Sequence, residues 1–298
     1  MKNFADRLVD AIRRAGNPCV VGLDPRIDLM PDFVKSGSGG ARSAICDFHE
    51  IVLDAVAGLV PVVKPQLAFF EQYGVGGMEA YQWTVAAARE RGLLVIADGK
   101  RNDIASTAEA YAQAFLGEAE FEADSMTATP YLGRDSLTPF TDLCAKFGKG
   151  LFVVLKTSNP GSRDFQDRIL QETGRPMYET VAETIHSLAR LQIGESGYSS
   201  IGAVVGATFP DEARRLRSLM PQSFILVPGY GAQGANGQSA AAAFHAGGMG
   251  AVVSSSRGIT YDFGDSGLSR EAFRNIVRDR TLRMIEDVTE AVAALAVR

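Results

Sequence analysis

Cysteine is scarce in this chain: Cys19, Cys46 and Cys144 are the only three in 298 residues, and they show neither CxxC nor metal-ligand spacing. A disulfide framework is excluded on that count, and buried, reduced thiols are expected. Histidine is equally rare. His49, His186 and His245 fall on separate helical stretches away from any second ligand-type cluster, so each reads as structural and no metal is expected. Long apolar runs are missing too, and Met1-Lys-Asn-Phe-Ala-Asp has no signal-type core. A soluble, cytoplasmic protein without a membrane partner is the expectation. Nor does one sign of charge dominate: 30 basic and 35 acidic residues give a net charge of −5. With no basic stripe, nucleic acid is not an expected partner. An anionic ligand must then be held by local groups and not by the overall field.

What is present is a march of short apolar, β-branched runs. They are Cys19–Asp24, Val62–Gln66, Val95–Lys100, Ser125–Pro130, Leu151–Ser158, Ile201–Thr208, Phe224–Gly231 and Ala251–Arg257. Each ends in polar, Gly or Pro residues and leads into a helical stretch. Continuously apolar strands alternating with helices indicate a parallel sheet covered on its faces. About eight such units favour a single-domain α/β protein with a (β/α)8 TIM barrel, spanning residues 1–298. A doubly wound dinucleotide fold is disfavoured because the first strand ends Gly22-Leu23-Asp24-Pro25 where a G-x-G-x-x-G loop would stand. Residues 4–15 form an amphipathic helix ending at Gly16 and are expected to close the bottom of the barrel. A last helix from about Arg270 packs Phe273, Ile276, Val277 and Met284. The long connection 161–200 holds a helix around 178–191 and is a candidate lid, as is the loop around Gln233.

The most informative stretch is Asp98-Gly-Lys100-Arg-Asn-Asp103, directly after Leu93-Leu-Val-Ile-Ala97. Alternation along a strand puts Asp98 and Lys100 on one face, roughly 6–7 Å apart. Charges at the end of a buried strand are costly unless paired or used. Barrel active sites form at strand carboxyl ends, and those ends offer Asp24, Lys64, Asp98, Lys100, Thr129, Thr157 with Ser158, and Arg257. Lys64, Asp98, Lys100 and Asp103 alternate in sign and can satisfy one another as a chain of charge-assisted bonds. A second signal follows the last two strands. Pro228-Gly-Tyr-Gly-Ala-Gln-Gly234 and Ser254-Ser-Ser-Arg257-Gly sit where this fold commonly binds phosphate, with glycines to admit backbone N–H groups and a forked guanidinium.

Together, Lys64, Asp98-Gly-Lys-Arg-Asn-Asp103-Ile104, Ser158-Asn-Pro160, Pro228–Gly234 and Arg257 resemble the orotidine 5′-phosphate decarboxylase family. The Lys-Thr-Ser-Asn-Pro form at 156–160 and the long fifth-to-sixth connection resemble its longer bacterial (type 2) subgroup. The resemblance implies decarboxylation of orotidine 5′-phosphate to uridine 5′-phosphate in pyrimidine biosynthesis, with no cofactor and no metal. Lys100 is implied as the proton donor, Asp98 as the group facing the scissile carboxylate, and Asp24 and Lys64 as ligands of the ribose hydroxyls. Ser158 is implied to contact the pyrimidine, Pro228 to line the apolar wall, and Gln233 and Arg257 to hold the phosphate. Asp103, with Ile104 and Thr107 beside it, matches residues that cross a homodimer interface into the partner's site. Two positions depart from the pattern: Ser256 stands where Gly is common, and Tyr230 is bulkier than in some relatives. The alternatives are a Mg²⁺-dependent sugar-phosphate lyase, a Schiff-base aldolase using Lys100 or Lys156, and a non-catalytic nucleotide-phosphate sensor. Lys64 opposes the first, since an ammonium there repels a divalent cation. Flanking carboxylates oppose the second by keeping a lysine charged.

Overall fold

The computed structural model describes residues 2–37, 39–231, 234–264 and 267–297. Eight parallel strands close into a barrel in sequence order: β1 (Cys19–Leu23), β2 (Val62–Pro65), β3 (Leu94–Arg101), β4 (Ser125–Ala128), β5 (Gly150–Lys156), β6 (Ser199–Val205), β7 (Ser223–Pro228) and β8 (Ala251–Ser255). Register runs from Val20 opposite Val62 on one side to Val20 opposite Ser254 on the other. Strand periodicity sorts the side chains into two cores. Val21, Val63, Val95, Val153, Ile225 and Val253 face the helical shell, while their neighbours Val20, Val62, Ile96, Phe152, Phe224 and Val252 fill the interior.

The helix Phe4–Ala15 plugs the bottom of that interior with Phe4, Leu8, Val9 and Ile12. Asn3 caps its start by accepting the Asp6 N–H, and Gly16 ends it in the left-handed region. The Asp6 carboxylate accepts the N–H groups of Glu195 and Ser196, so the plug is tied to the segment before β6. Phe4 meets Phe152 edge-on, with centroids 6.0 Å apart.

The last helix, Arg270–Ala293, buries Phe273, Val277, Thr281, Met284 and Val288. Ile276 lies off that stripe and is only half-buried, because positions four and three apart define the face and 276 flanks it. Between β5 and β6 the chain forms a short turn at Pro160–Asp164 and a helix at Met177–Ala189. Cys19 and Cys144 are buried, whereas Cys46 is half-buried, and all three are free thiols. His49 and His245 each make one side-chain hydrogen bond, to the Thr84 hydroxyl and the Pro221 carbonyl. Among the described residues no helix is long and apolar enough to cross a membrane.

Candidate active site at the carboxyl ends of the strands

Asp98, near the end of β3, is the hub. Its Oδ2 accepts from Lys64 Nζ of β2 at 2.5 Å and from Gln66 Nε2 at 3.1 Å. Its Oδ1 accepts from Lys100 Nζ at 2.6 Å and from the Thr127 hydroxyl of β4 at 2.9 Å. Each oxygen thus takes two donors, which is how a carboxylate survives at 8% side-chain exposure. Lys64 is buried as deeply, at 6%, while Lys100 keeps 43% of its side chain open to the mouth. That asymmetry makes Lys100 the more open of the two ammoniums at the mouth.

Burial alone would raise the Asp98 carboxyl, but the Lys64 and Lys100 ammoniums outweigh it and hold the pKa well below the usual range. Burial also opposes the Lys64 charge, yet Asp98 and Asp24 overcome it and raise the lysine's pKa. Asp24 feels burial most strongly and is shifted up, moderated by Lys64 and by a hydrogen bond from Ser256. Its Oδ1 is buried without a hydrogen-bond partner among the described residues, an acceptor left over for a ligand.

Simple alternation does not describe the Asp98–Lys100 step. The β3–β4 register shifts between Ala97 and Arg101, and Lys100 adopts a left-handed φ of 47°. Such a conformation costs a β-carbon-bearing residue on the order of 1 kcal/mol or more. It is held by the Lys100 N–H donating to Thr127 Oγ1 at 2.9 Å and by the ammonium turning back onto Asp98. The two side chains therefore touch instead of standing apart in parallel.

Asp24, Lys64, Asp98, Lys100, Pro228 and Arg257 line one cavity of about 280 Å³, together with Gly229, Tyr230 and Ser254–Ser256. Arg257 is exposed at its rim and makes no ion pair among the described residues. Ser256 lies over β1: a β-carbon on Gly22 would stand 1.8 Å from its hydroxyl oxygen, so the missing side chain at 22 is what admits Ser256. The serine at 256 thereby becomes a ligand of Asp24. Ser158 lies two residues beyond the end of β5 and does not line this cavity. Asp103, Ile104 and Thr107 also lie outside it, at the start of the helix Ala105–Leu116, where Asp103 accepts the Ile104 N–H at 2.8 Å. Within one chain the alternating charges are therefore Asp24, Lys64, Asp98 and Lys100, and Asp103 is not among them. Gln233 lies outside the described residues. Among those described, no three His, Cys, Asp or Glu side chains converge as metal ligands.

Sequence reasoning missed Gln66, Thr127 and Tyr261. The Tyr261 hydroxyl donates to the Asp24 carbonyl and accepts the Arg26 N–H, both at 2.8 Å, fixing the turn after β1. Thr129, two residues on from Thr127, donates its hydroxyl to the Lys100 carbonyl instead of to Asp98.

A closed parallel barrel with paired, buried charges at its carboxyl-end mouth, beside a glycine-rich loop and an exposed arginine, defines a (β/α)8 enzyme. Residues 19–265 match the model of the "Orotidine 5′-phosphate decarboxylase / HUMPS family", and the chain belongs to that family. An orotidine 5′-phosphate decarboxylase of Rhodopirellula baltica is 44% identical over 302 residues, covering 97% of this chain and 99% of the relative. One from Caldicellulosiruptor saccharolyticus is 40% identical over 279 residues, covering 88% and 91%. The solved OMP decarboxylase of Leishmania donovani superposes with a TM-score of 0.75 at 30% identity, covering 98% of this chain and 99% of that one.

Proposed function

We propose that this chain is a carboxy-lyase that converts orotidine 5′-phosphate to uridine 5′-phosphate, the decarboxylation step of pyrimidine biosynthesis, acting as a cytoplasmic homodimer without metal or cofactor. The observation that carries the reading is the Lys64–Asp98–Lys100 cluster, held by four donors on one buried carboxylate. Relatives of that name at 44% and 40% identity support it.

The chemical problem is a C6–carboxylate bond whose electron pair, once CO2 leaves, stays in an in-plane orbital that the ring cannot delocalise. Lys100, oriented by Asp98 and open to the mouth, is a preorganised cation at that carbon. The C6–CO2 bond breaks, the lone pair at C6 takes a proton from the Lys100 ammonium, and solvent restores the proton to the amine. Asp98 beside the departing carboxylate adds ground-state repulsion that loss of CO2 relieves. Asp24 Oδ1 and Lys64 take the ribose hydroxyls, Pro228 lines the apolar wall, Ser158 reads the pyrimidine, and Gln233 with Arg257 holds the phosphate. Binding energy from the phosphate is spent on positioning the ring.

Asp103, Ile104 and Thr107 serve the partner's site in this reading. In support, Ile104 is 55% exposed beside Asp103, and the two head a helix whose first turn, Ala105–Thr107, is exposed and does not line its own cavity. The Mg²⁺-dependent alternative would need an anionic group at the end of β2, where Lys64 stands.

The test is loss of orotidine 5′-phosphate absorbance with purified protein, before and after treatment with a chelator. Equal rates in both are expected. Activity abolished by the chelator would favour the metal-dependent lyase, and binding of uridine 5′-phosphate without turnover would favour the sensor.

A further inference from the structure

The phosphate loop has an anchor on the last helix. Asp287 Oδ2 accepts the Tyr230 hydroxyl at 2.7 Å and the Gly237 N–H at 2.7 Å, so a single carboxylate oxygen ties both ends of the loop that follows β7. Between those ends the loop folds on itself: the Gly231 N–H donates to the Ala235 carbonyl at 2.8 Å, and Tyr230 bridges to Ala235. The Tyr230 carbonyl in turn accepts the Ser255 hydroxyl of β8, the strand that leads to Arg257. Contact with the helix is close. A β-carbon on Gly237 would stand 2.3 Å from the Asp287 carbonyl oxygen. Asp287 lies beyond the residues matched by the family model, which ends at 265.

We infer that Asp287 is a positioning residue for substrate phosphate, holding the two loop ends, Tyr230–Gly231 and Ala235–Gly237, and, through Ser255, the Arg257 strand end in place; this rests on the phosphate role proposed above for Arg257 and the loop. The bulk of Tyr230 then has a purpose, because its ring lines the cavity while its hydroxyl reaches the anchor. Burial and the neighbouring carboxylate both raise the pKa of that hydroxyl, keeping it a donor. The two bonds to Asp287 are charge-assisted, the stronger class of hydrogen bond. Fixing the two loop ends before the ligand arrives lowers an entropic cost that binding would otherwise carry. Asp287 touches no reacting atom, so its effect falls on affinity for the phosphate-bearing ligand and not on the chemical step.

Titration calorimetry with uridine 5′-phosphate and with uridine tests this, on the wild type and on Asp287→Ala, Asp287→Asn, Tyr230→Phe, Arg257→Ala and the Arg257→Ala/Asp287→Ala pair. Asp287→Ala is expected to weaken uridine 5′-phosphate by about tenfold or more and uridine by less than about twofold. In steady state its KM rises while kcat at saturation holds. Asp287→Asn keeps an acceptor for both donors and should stay within about threefold of wild type, whereas Tyr230→Phe loses one bond and falls between. In the Arg257→Ala background, Asp287→Ala should add less than about twofold, because the two act through one grip. Equal weakening of both ligands, or full additivity with Arg257→Ala, would reduce Asp287 to a general packing role and overturn the inference. If Asp287→Ala fails to fold, a phosphate-selective loss in Tyr230→Phe sustains the inference, and its absence ends it. A wild type with equal affinity for the two ligands would overturn the phosphate role itself, and the part of Asp287 with it.

Discussion

Around β1, β2, β3 and β8 the barrel mouth is crowded with paired charge, whereas around β4, β5 and the connection to β6 it is apolar and open. On the first side Lys64 and Asp98 are buried against each other and every oxygen of Asp98 is used. On the second, Tyr131, Phe165 and Ile169 are exposed, Phe165 at 60%, and Tyr131 meets Phe165 edge-on over an apolar groove of about 380 Å³. The backbone there is nonetheless well held. Gln166 clamps Thr157 from both ends of its amide, accepting the backbone N–H at 3.0 Å and donating to the hydroxyl at 2.9 Å. Lys156, buried against the rings of Tyr178 and Phe209, pairs with Asp167. The Lys64, Asp98 and Lys100 charges are paired within one chain, and the apolar side is hydrogen-bonded beneath but exposed. Charges demand immediate partners on desolvation, while an apolar surface can wait for another molecule.

The comparison breaks most sharply at Lys100. If the charged side carries the chemistry, Lys100→Ala lowers kcat by at least about 10³, the scale of losing a preorganised charge, and leaves uridine 5′-phosphate binding measurable. Near-normal turnover by that variant in a steady-state assay would move the reaction away from this cluster.

The next effect tests whether a second subunit completes the charged side. Asp98→Asn and Asp103→Asn should each be nearly inactive. In an equal mixture after subunit exchange, about a quarter of the sites would combine an intact Asp98 with a partner's intact Asp103. Activity of the mixture should rise accordingly, about a hundredfold above either parent if each loss is of the size usual for one electrostatic contact. No recovery after exchange has been verified by native mass spectrometry would mean that each site is complete in its own chain.

The same contrast decided what could be read from the residues alone. Buried parallel strands are continuous apolar runs, so all eight were legible, and a lysine or aspartate closing such a run is conspicuous, as with Lys64 and Asp98. β3 runs on to Arg101 because the bulge that turns Lys100 back keeps the chain paired with β4, and no residue pattern announces a bulge. Thr127 and Gln66 escaped notice because an uncharged polar side chain near a strand end is ordinary. Asp287 had no local signature, since its partners lie fifty residues or more away on another element. For Asp103, Ile104 and Thr107 the difficulty is of another kind: their surroundings within one chain are mostly solvent, so neither sequence nor a single subunit displays a partner for them.

The smallest effect separates two ways of tolerating a buried titratable group. Asp98 is charged and surrounded by donors, but His49, packed beside Phe48 and Phe70, is buried with no charge opposite it. Thr84 gives its own proton to the Ala80 carbonyl, so His49 Nδ1 carries the hydrogen in their 3.0 Å contact and Nε2 has no partner among the described residues. Burial pushes the His49 pKa down to about 3. The unfolded chain, with a histidine pKa of about 6.5, therefore takes up a proton that the folded chain refuses. The stability tied to this residue is present in full above pH 6.5 and is lost as the pH falls toward 3, by about 2 kcal/mol at pH 5. His49→Phe, which keeps a ring among rings, should flatten that part of the denaturation profile between pH 7 and 5. The Asp98 pair contributes nothing in that window, because its depressed carboxyl stays ionised and its stabilisation fades only below about pH 4. Chemical denaturation at pH 7 and pH 5 measures the difference, and identical slopes for wild type and His49→Phe would show that the ring is protonated without cost in the fold.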